Sequence, residues 1–356
     1  MNILFVIDKV ELKYFEFNNL VTNFWLIKEF LDRGNNVCIT TINNLYLENS
    51  EACAKAYQAY ALDNNIFYKS DMLNFKVEEF DLVMFRPDPP VDSDYLSATY
   101  VLDFVKNTKI INDPRAIRNF NEKIHTALFS DLMPKYIVSA NRSRIEDFLN
   151  ECGEIVLKPL NKCFGTGVMY LHIGDPNTRS IINAVTNNEN SLVMVQKYIP
   201  DIKFGDKRVL TLGDEVLSEC VLKLPTNDDF KFNTHSDNYI RKSKLTFAEE
   251  ENFKRVAKEL NKMGIPMAGL DVVNEQIIEI NVTSPCYFIK EINNYFGVSL
   301  EKKICDYIQS DSIYYVKNKS ILDTSVSNTM SSFTVNSQVV IENNNNSEYQ
   351  YKTETF

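Results

Sequence analysis

Three oxygen-bearing side chains stand on otherwise apolar segments near the C-terminal third of the chain. Asp271 lies in Met267-Ala268-Gly269-Leu270-Asp271-Val272-Val273, and Glu279 and Asn281 lie in Ile278-Glu279-Ile280-Asn281-Val282-Thr283-Ser284-Pro285. Glu279 and Asn281 are spaced i, i+2, so on a strand they share a face. Acids among β-branched neighbours are costly to bury unless a cation or a partner neutralises them. Carboxylate and amide oxygens without His or Cys beside them suit a hard cation such as Mg²⁺, which commonly takes substrate phosphates as well. A hairpin whose polar face meets solvent is the alternative, and one acid alone would favour it. Three such groups beside Asn-Val-Thr-Ser-Pro favour a nucleotide–metal site.

Such a site needs cations for phosphates and a shielded slot for a base. Lys158 is flanked by Val156-Leu157 and Pro159-Leu160, and a lysine in an apolar strand is costly unless its ammonium meets a phosphate or carboxylate. Lys123, in Asn121-Glu122-Lys123-Ile124-His125, reads as helical; alone it would be a solvated charge, and Lys158 raises its standing. Gly165 and Gly167 can turn backbone N–H groups toward a phosphate, although no Walker loop is present. The strand containing Gln196, Tyr198 and Ile199 could offer backbone groups to adenine. Arg208 could clamp a carboxylate or phosphate, or make an ordinary surface ion pair.

The elements that must position these residues follow from periodicity. Strands at 2–8, 37–41, 81–86 and 109–111 alternate with helices at 17–33 and 95–106, a βαβ pattern with a parallel sheet. A helix-rich segment covers 115–130. Strands at 135–140, 155–160, 168–172 and 192–199 with helices at 143–150 and 177–185 form a compact α+β unit. Hairpin strands at 208–212 and 216–224 precede a polar loop over 226–243, a helix over 247–263, the acid-bearing hairpin and a last helix over 300–309. From 317 onward Ser, Thr and Asn dominate, as in Asn343-Asn344-Asn345-Asn346, a composition that does not support a core.

The 356 residues allow two or three domains and a large core. Net charge is −10 with no basic block, which argues against nucleic acid. No stretch suits a membrane span, and the first residues read as a buried strand rather than a leader. Seven scattered cysteines, with no CxxC and three histidines elsewhere, argue against zinc and for reduced thiols in the cytoplasm.

Taken in order, the motifs resemble the prokaryotic type of glutathione synthetase, in the ATP-grasp superfamily, over nearly all of the chain to about residue 310. The carrying pieces are Phe85-Arg86-Pro87-Asp88-Pro89-Pro90, Ala98-Thr99-Tyr100, Asn121-Glu122-Lys123, Ser130-Asp131-Leu132 and Ile155-Val156-Leu157-Lys158-Pro159-Leu160. Gly205-Asp206-Lys207-Arg208-Val209, Gly269-Leu270-Asp271 and Glu279-Ile280-Asn281-Val282-Thr283-Ser284-Pro285 complete the set.

The resemblance implies α/β and α+β architecture: an ATP-grasp fold behind an N-terminal Rossmann-like domain. Its domains would be 1–121, a central lid over 122–200 and a metal-binding domain over 201–316, with 317–356 a tail. It implies Lys123 and Lys158 on phosphates, Gly165 and Gly167 in the lid loop, and Gln196, Tyr198 and Ile199 at adenine. Asp206 would meet the ribose and Arg208 the transferred phosphate. Asp271, Glu279 and Asn281 would hold Mg²⁺ (or Mn²⁺), while Arg86, Asn233 and Lys290 lie on the substrate side. The implied reaction joins γ-glutamylcysteine and glycine as ATP becomes ADP and phosphate, through an acyl phosphate, in a homo-oligomer.

The chain departs from the family pattern in its loops. Asn161, Lys162 and Phe164 replace the Asp and two glycines of the lid loop, and the stretch Lys231–Asn238 keeps Asn233 but has no glycine. Cys286-Tyr287-Phe288 replaces the usual Thr-Gly. These changes keep two alternatives open: a carboxylate–amine ligase with another acceptor or a peptide substrate, and a non-catalytic nucleotide-binding regulator.

Overall fold

The computed structural model describes residues 1–9, 21–225 and 239–310. Met1–Ser312 forms one compact unit built on three sheets. The first has seven strands: β1 (Asn2–Ile7), β2 (Asn36–Thr41), β3 (Leu45–Glu48), β4 (Glu51–Leu62), β5 (Asn65–Lys76), β6 (Leu82–Phe85) and β7 (Lys109–Ile111). Their order is β3-β4-β2-β1-β6-β7, with β5 on β4. The β2-β1-β6-β7 part is parallel, as the βαβ pattern requires. Helices α1 (Thr22–Asp32), α2 (Ser93–Leu102) and α3 (Pro114–Asn119) join it. The long β4–β5 hairpin was not anticipated from the sequence. Its turn, Asp63-Asn64, has both residues at positive φ, the geometry that matches strand twist in a two-residue loop.

The second sheet is antiparallel, in the order β10-β9-β11-β8. It contains β8 (Tyr136–Ser139), β9 (Glu154–Pro159), β10 (Met169–His172) and β11 (Val193–Lys197). Helices α4 (Arg142–Cys152) and α5 (Thr178–Val185) cover it. It has its own core, which includes Ile145, Phe148, Leu157, Leu171, Ile182 and Val195.

The third sheet runs β14-β13-β12-β15-β16. Its strands are β12 (Asp206–Leu212), β13 (Glu215–Lys223), β14 (Ile240–Lys244), β15 (Met267–Val273) and β16 (Gln276–Asn281). Helix α6 (Phe247–Lys262) packs Phe253, Val256 and Leu260 against Val209 and Leu270. Leu210, Leu212 and Met267 face the other way, into a core shared with Ile3, Phe5 and Phe30. Helix α7 (Ile289–Phe296) and a helix over 300–310, α8, contribute Ile292 and Ile304 to that core. The sheet therefore packs apolar residues on both sides, and β15 is buried along its whole length.

Several boundaries differ from the sequence expectation. The helix expected over 115–130 is only α3 followed by a tight 3₁₀ stretch, His125–Leu132. The reason is local: Asn121 Oδ1 accepts from the N–H groups of Lys123 and Ile124 at 3.1 and 3.0 Å, which fixes a turn instead of a helix. Lys123 is thus on a turn. The helix expected to reach 106 ends at Leu102, and the polar loop expected through 243 becomes β14 from Ile240, paired to β13. Asn233, the residues of the first helix before 21, and the tail from 317 lie outside the described residues.

Candidate active site

Strand register assembles the site. Arg208 on β12 stands opposite Asp271 on β15, and Asp271 stands opposite Glu279 on β16. Directly opposed residues share a face, and so do residues two apart along a strand. The same face therefore carries Asp206 and Arg208, Asp271, Glu279 and Asn281, and also Lys223, which is opposite Asp206 on β13. Register irregularities occur between Arg208 and Leu210 and between Asp271 and Val272, re-aiming side chains at the site as bulges do. Two glycines make room. A Cβ on Gly269 would meet the Arg208 side chain at 3.1 Å, and one on Gly205 would lie 2.6 Å from the Lys223 carbonyl oxygen.

The buried acids are neutralised by side-chain cations. Arg208 Nε donates to Asp271 Oδ1 at 2.8 Å, and Lys223 Nζ reaches Asp271 at 2.7 Å and Asp206 at 2.6 Å. Asn281 Nδ2 donates to Asp271 Oδ2 at 3.1 Å. Burial pushes the Asp271 carboxyl upward, but Arg208 and Lys223 outweigh it and hold the group well below the usual range. Burial likewise opposes charge on Arg208, and Asp271 overcomes it, so the guanidinium is held more firmly than usual. For Asp206 burial wins over Lys223, and its carboxyl is raised. Lys223 was missed in the sequence; its signal was a lysine ending the apolar run Cys220-Val221-Leu222.

The second sheet supplies the opposite wall. Lys158 Nζ donates to the Ile278 carbonyl at 3.0 Å, and Gln196 Nε2 reaches the same oxygen at 3.4 Å. Burial lowers the Lys158 ammonium from its ordinary value, so a nearby anion would be strongly favoured. Lys123 Nζ bridges Glu279 at 3.1 Å and the Lys162 carbonyl at 2.7 Å. Its turn is docked by Glu122, also missed, which accepts from Val282 N, Thr283 N and Thr283 Oγ1 at 2.8, 3.1 and 3.1 Å. Tyr198 N–H is committed to the Glu154 carbonyl at 3.0 Å.

A cavity of about 970 Å³ runs between these walls. Its lining takes in Lys158, Gly165, Gln196, Tyr198, Ile199, Asp206, Arg208, Asp271, Glu279 and Asn281, with Arg86 at the end formed by the first sheet. Arg86 is 2% exposed and donates to Asn23 Oδ1 at 2.6 Å and the Pro285 carbonyl at 2.9 Å. Gly167 lies behind the loop against Pro159. From the first turn of α7 the wall takes Glu291 rather than Lys290. Phe164, at φ +53° and 81% exposed, sits at the mouth.

A family model described as prokaryotic glutathione synthetase, N-terminal domain, matches residues 1–118. A second, described as prokaryotic glutathione synthetase, ATP-grasp domain, matches residues 122–297. The chain belongs to the prokaryotic glutathione synthetase family. A glutathione synthetase of Vibrio vulnificus is 32% identical over 292 residues, covering 81% of this chain and 92% of the relative. One from Nostoc is 34% identical over 291 residues, covering 78% and 89%. Among solved structures, a D-cycloserine synthetase superposes with a TM-score of 0.62 at 14% identity, covering 88% of this chain and 100% of that one; that likeness shows the fold alone. Family membership makes this chain an ATP-dependent ligase with an ATP-grasp fold.

Proposed function

We infer that the protein joins γ-glutamylcysteine to glycine, with ATP becoming ADP and phosphate, and that the cavity between the second and third sheets is where it does so. The observation that carries this is the single polar face on which Asp206, Arg208, Lys223, Asp271, Glu279 and Asn281 converge opposite Lys158. Phosphoryl transfer needs positioning and charge neutralisation more than covalent chemistry, and this face offers fixed cations in a cleft. The γ-glutamylcysteine carboxylate attacks the terminal phosphate, giving an acyl phosphate, and the glycine amine then displaces phosphate. Arg208, Lys223 and Lys158 hold charge of the sign that the transferred phosphoryl group requires. Gln196, Tyr198 and Ile199 fit the adenine slot, Tyr198 by its ring because its N–H is already engaged. Sequestration matters because an acyl phosphate hydrolyses in water.

Asp271 and Asn281 touch one another, and Glu279 shares their face. These hard oxygen donors fit Mg²⁺ or Mn²⁺. Among the described residues no group of three or more His, Cys, Asp or Glu could hold a metal ion, so nucleotide phosphates would complete the shell. When bound, the metal neutralises charge on the phosphates.

The same reading divides the unit into domains near 121 and 200, one per sheet. It also takes the chain as a cytoplasmic homo-oligomer. All seven cysteines are unpaired, in keeping with a reducing compartment, and among the described residues no helix is long and apolar enough to cross a membrane. Exposed Leu47, Tyr60, Leu62 and Leu73 on β3–β5 offer a surface for a second copy.

The test is direct. Purified protein given ATP, γ-glutamylcysteine and glycine should release ADP and phosphate and form glutathione in equal amounts, and Glu279→Gln should cut this by ~100-fold or more with unchanged circular dichroism. Faster turnover with another amine than with glycine would instead favour the alternative acceptor that the glycine-poor loops suggest. Nucleotide binding without turnover would leave only the regulator.

A further inference from the structure

Asp88 is unlike the acids above. It lies in the turn after β6, in the cavity wall, and its N–H donates to Asp8 Oδ2 at 2.5 Å, so a second carboxylate is held against it. The Ser284 hydroxyl hydrogen-bonds its side chain. Ser284 follows Asn281 by three residues, at most roughly 11 Å of chain, and Cys286, two residues on, accepts from Arg208. Asp88 thus lines the cavity beside Ser284, in the same segment as Asn281 and Cys286. Among the described residues neither Asp8 nor Asp88 forms an ion pair. Glu122, the other acid on this side, already takes three hydrogen bonds on one oxygen.

Outside the cavity lining, Tyr95 Oη is buried with no hydrogen-bond partner among the described residues. Burial first, then Glu122, Asp8 and Asp88, disfavours its ionisation, so negative charge is concentrated on this side of the wall. The lid loop reaches the same place, since Cys163 Sγ lies 3.5 Å from the Pro89 carbonyl.

We propose that Asp88, backed by Asp8, takes the proton that the acceptor ammonium must lose before it attacks the acyl phosphate. This rests on the reaction assigned above. The ammonium gives one proton to the Asp88 carboxylate, and the freed lone pair forms the C–N bond at the acyl carbon. The C–O bond to phosphate breaks with its electron pair on oxygen, and the nitrogen's second proton leaves with that phosphate. The products are the amide, hydrogen phosphate and neutral Asp88, which returns its proton to solvent. The groups bearing on Asp88 are Asp8, Arg86, Tyr95 and Cys163. Burial first, then Asp8, pushes its carboxyl up to about 6 against Ser284 and Arg86, and a base poised near neutrality is the effective kind.

Hydroxylamine is uncharged at neutral pH and has no proton to surrender before attack, so it separates the two roles. In Asp88→Asn, kcat/KM for glycine should fall by ~100-fold or more, while hydroxamate formation from hydroxylamine stays within roughly threefold of the unaltered protein. The rise of glycine kcat/KM with pH through about 6 should vanish in this variant, and Asp88→Glu should restore part of it. Equal losses with both acceptors in both variants, or glycine turnover in Asp88→Asn within threefold, overturns the proposal. Absence of ADP from the unaltered protein with either acceptor would instead remove the reaction beneath it.

Discussion

At the scale of single residues, two acids lining the same cavity carry opposite pH signatures. Asp271 is depressed by Arg208 and Lys223 despite burial, so its contribution to stability is present at neutral pH and lost in acid. Asp88 is raised, from 3.8 to about 6. Between those values the folded chain binds more protons than the unfolded one, so stability falls as pH rises, and ionised Asp88 costs about 2 to 3 kcal/mol near neutrality. Asp88→Asn should therefore raise the melting temperature by ~2–5 °C near neutral pH and lose that advantage below pH ~4. A calorimetric scan at both pH values checks it; a gain that persists in acid would mean the carboxylate's charge is not its cause. Such a gain alongside lost turnover would be the usual trade at a functional site. Much of this scale was legible in the sequence, because Lys158, Asp271, Glu279 and Asn281 each break an apolar pattern, whereas Arg208, after Asp206-Lys207, was picked out only by the motif that surrounds it. Lys223 and Glu122 were not, since one ends a strand and the other flanks a turn, where charged residues are ordinary.

At the scale of elements, the site depends on supports that touch no ligand. Thr246 caps α6, accepting from Glu249 N at 3.2 Å, and Glu249 Oε2 returns a bond from Thr246 N at 2.8 Å. Glu249 is 2% exposed and also holds Lys207 Nζ at 2.8 and 2.7 Å. One carboxylate thus fixes both the helix start and the strand residue next to Arg208. Glu249→Ala should cost about 3 kcal/mol, through the lost cap and a partly buried lysine left unpaired, and should loosen Arg208. Urea unfolding checks the first part, and a drop in kcat at unchanged KM for ATP checks the second; Glu249→Gln, which keeps the cap, should recover most of the helix but not Lys207. The Thr246-x-x-Glu249 spacing is a readable helix signal, but its link to Lys207 requires the fold. Turns were the least legible elements. Asp63-Asn64 and Phe164 hold positive φ without glycine; Asp and Asn tolerate that geometry but announce it less strongly than glycine.

At the scale of the whole molecule, the first and third sheets, which meet at one end of the cavity, are tied together by an asparagine. Asn112, 2% exposed and just past β7, donates from Nδ2 to the carbonyls of Met267 and Val282 at 2.7 and 2.8 Å. Its Oδ1 accepts from Met267 N at 3.1 Å. A neighbouring bond joins Asp113 N to the Gly264 carbonyl at 2.9 Å. Arg86 makes the second tie through Pro285, and apolar residues of both sheets merge in one core. This explains why so much sequence between the carrying motifs contributes to a site it never touches, and why Asn112 gave no sign in a strand-ending Ile-Ile-Asn. Its meaning lies wholly in partners more than 150 residues away. Asn112→Ala leaves two buried carbonyls and one N–H unpaired, which should cost about 3 to 5 kcal/mol. Because the loss falls between sheets, unfolding should broaden or split, with tryptophan fluorescence from Trp25 on α1 changing before the far-ultraviolet signal of the remainder. A single sharp transition, shifted but coincident by both probes, would show that the shared apolar core holds the sheets together without the asparagine.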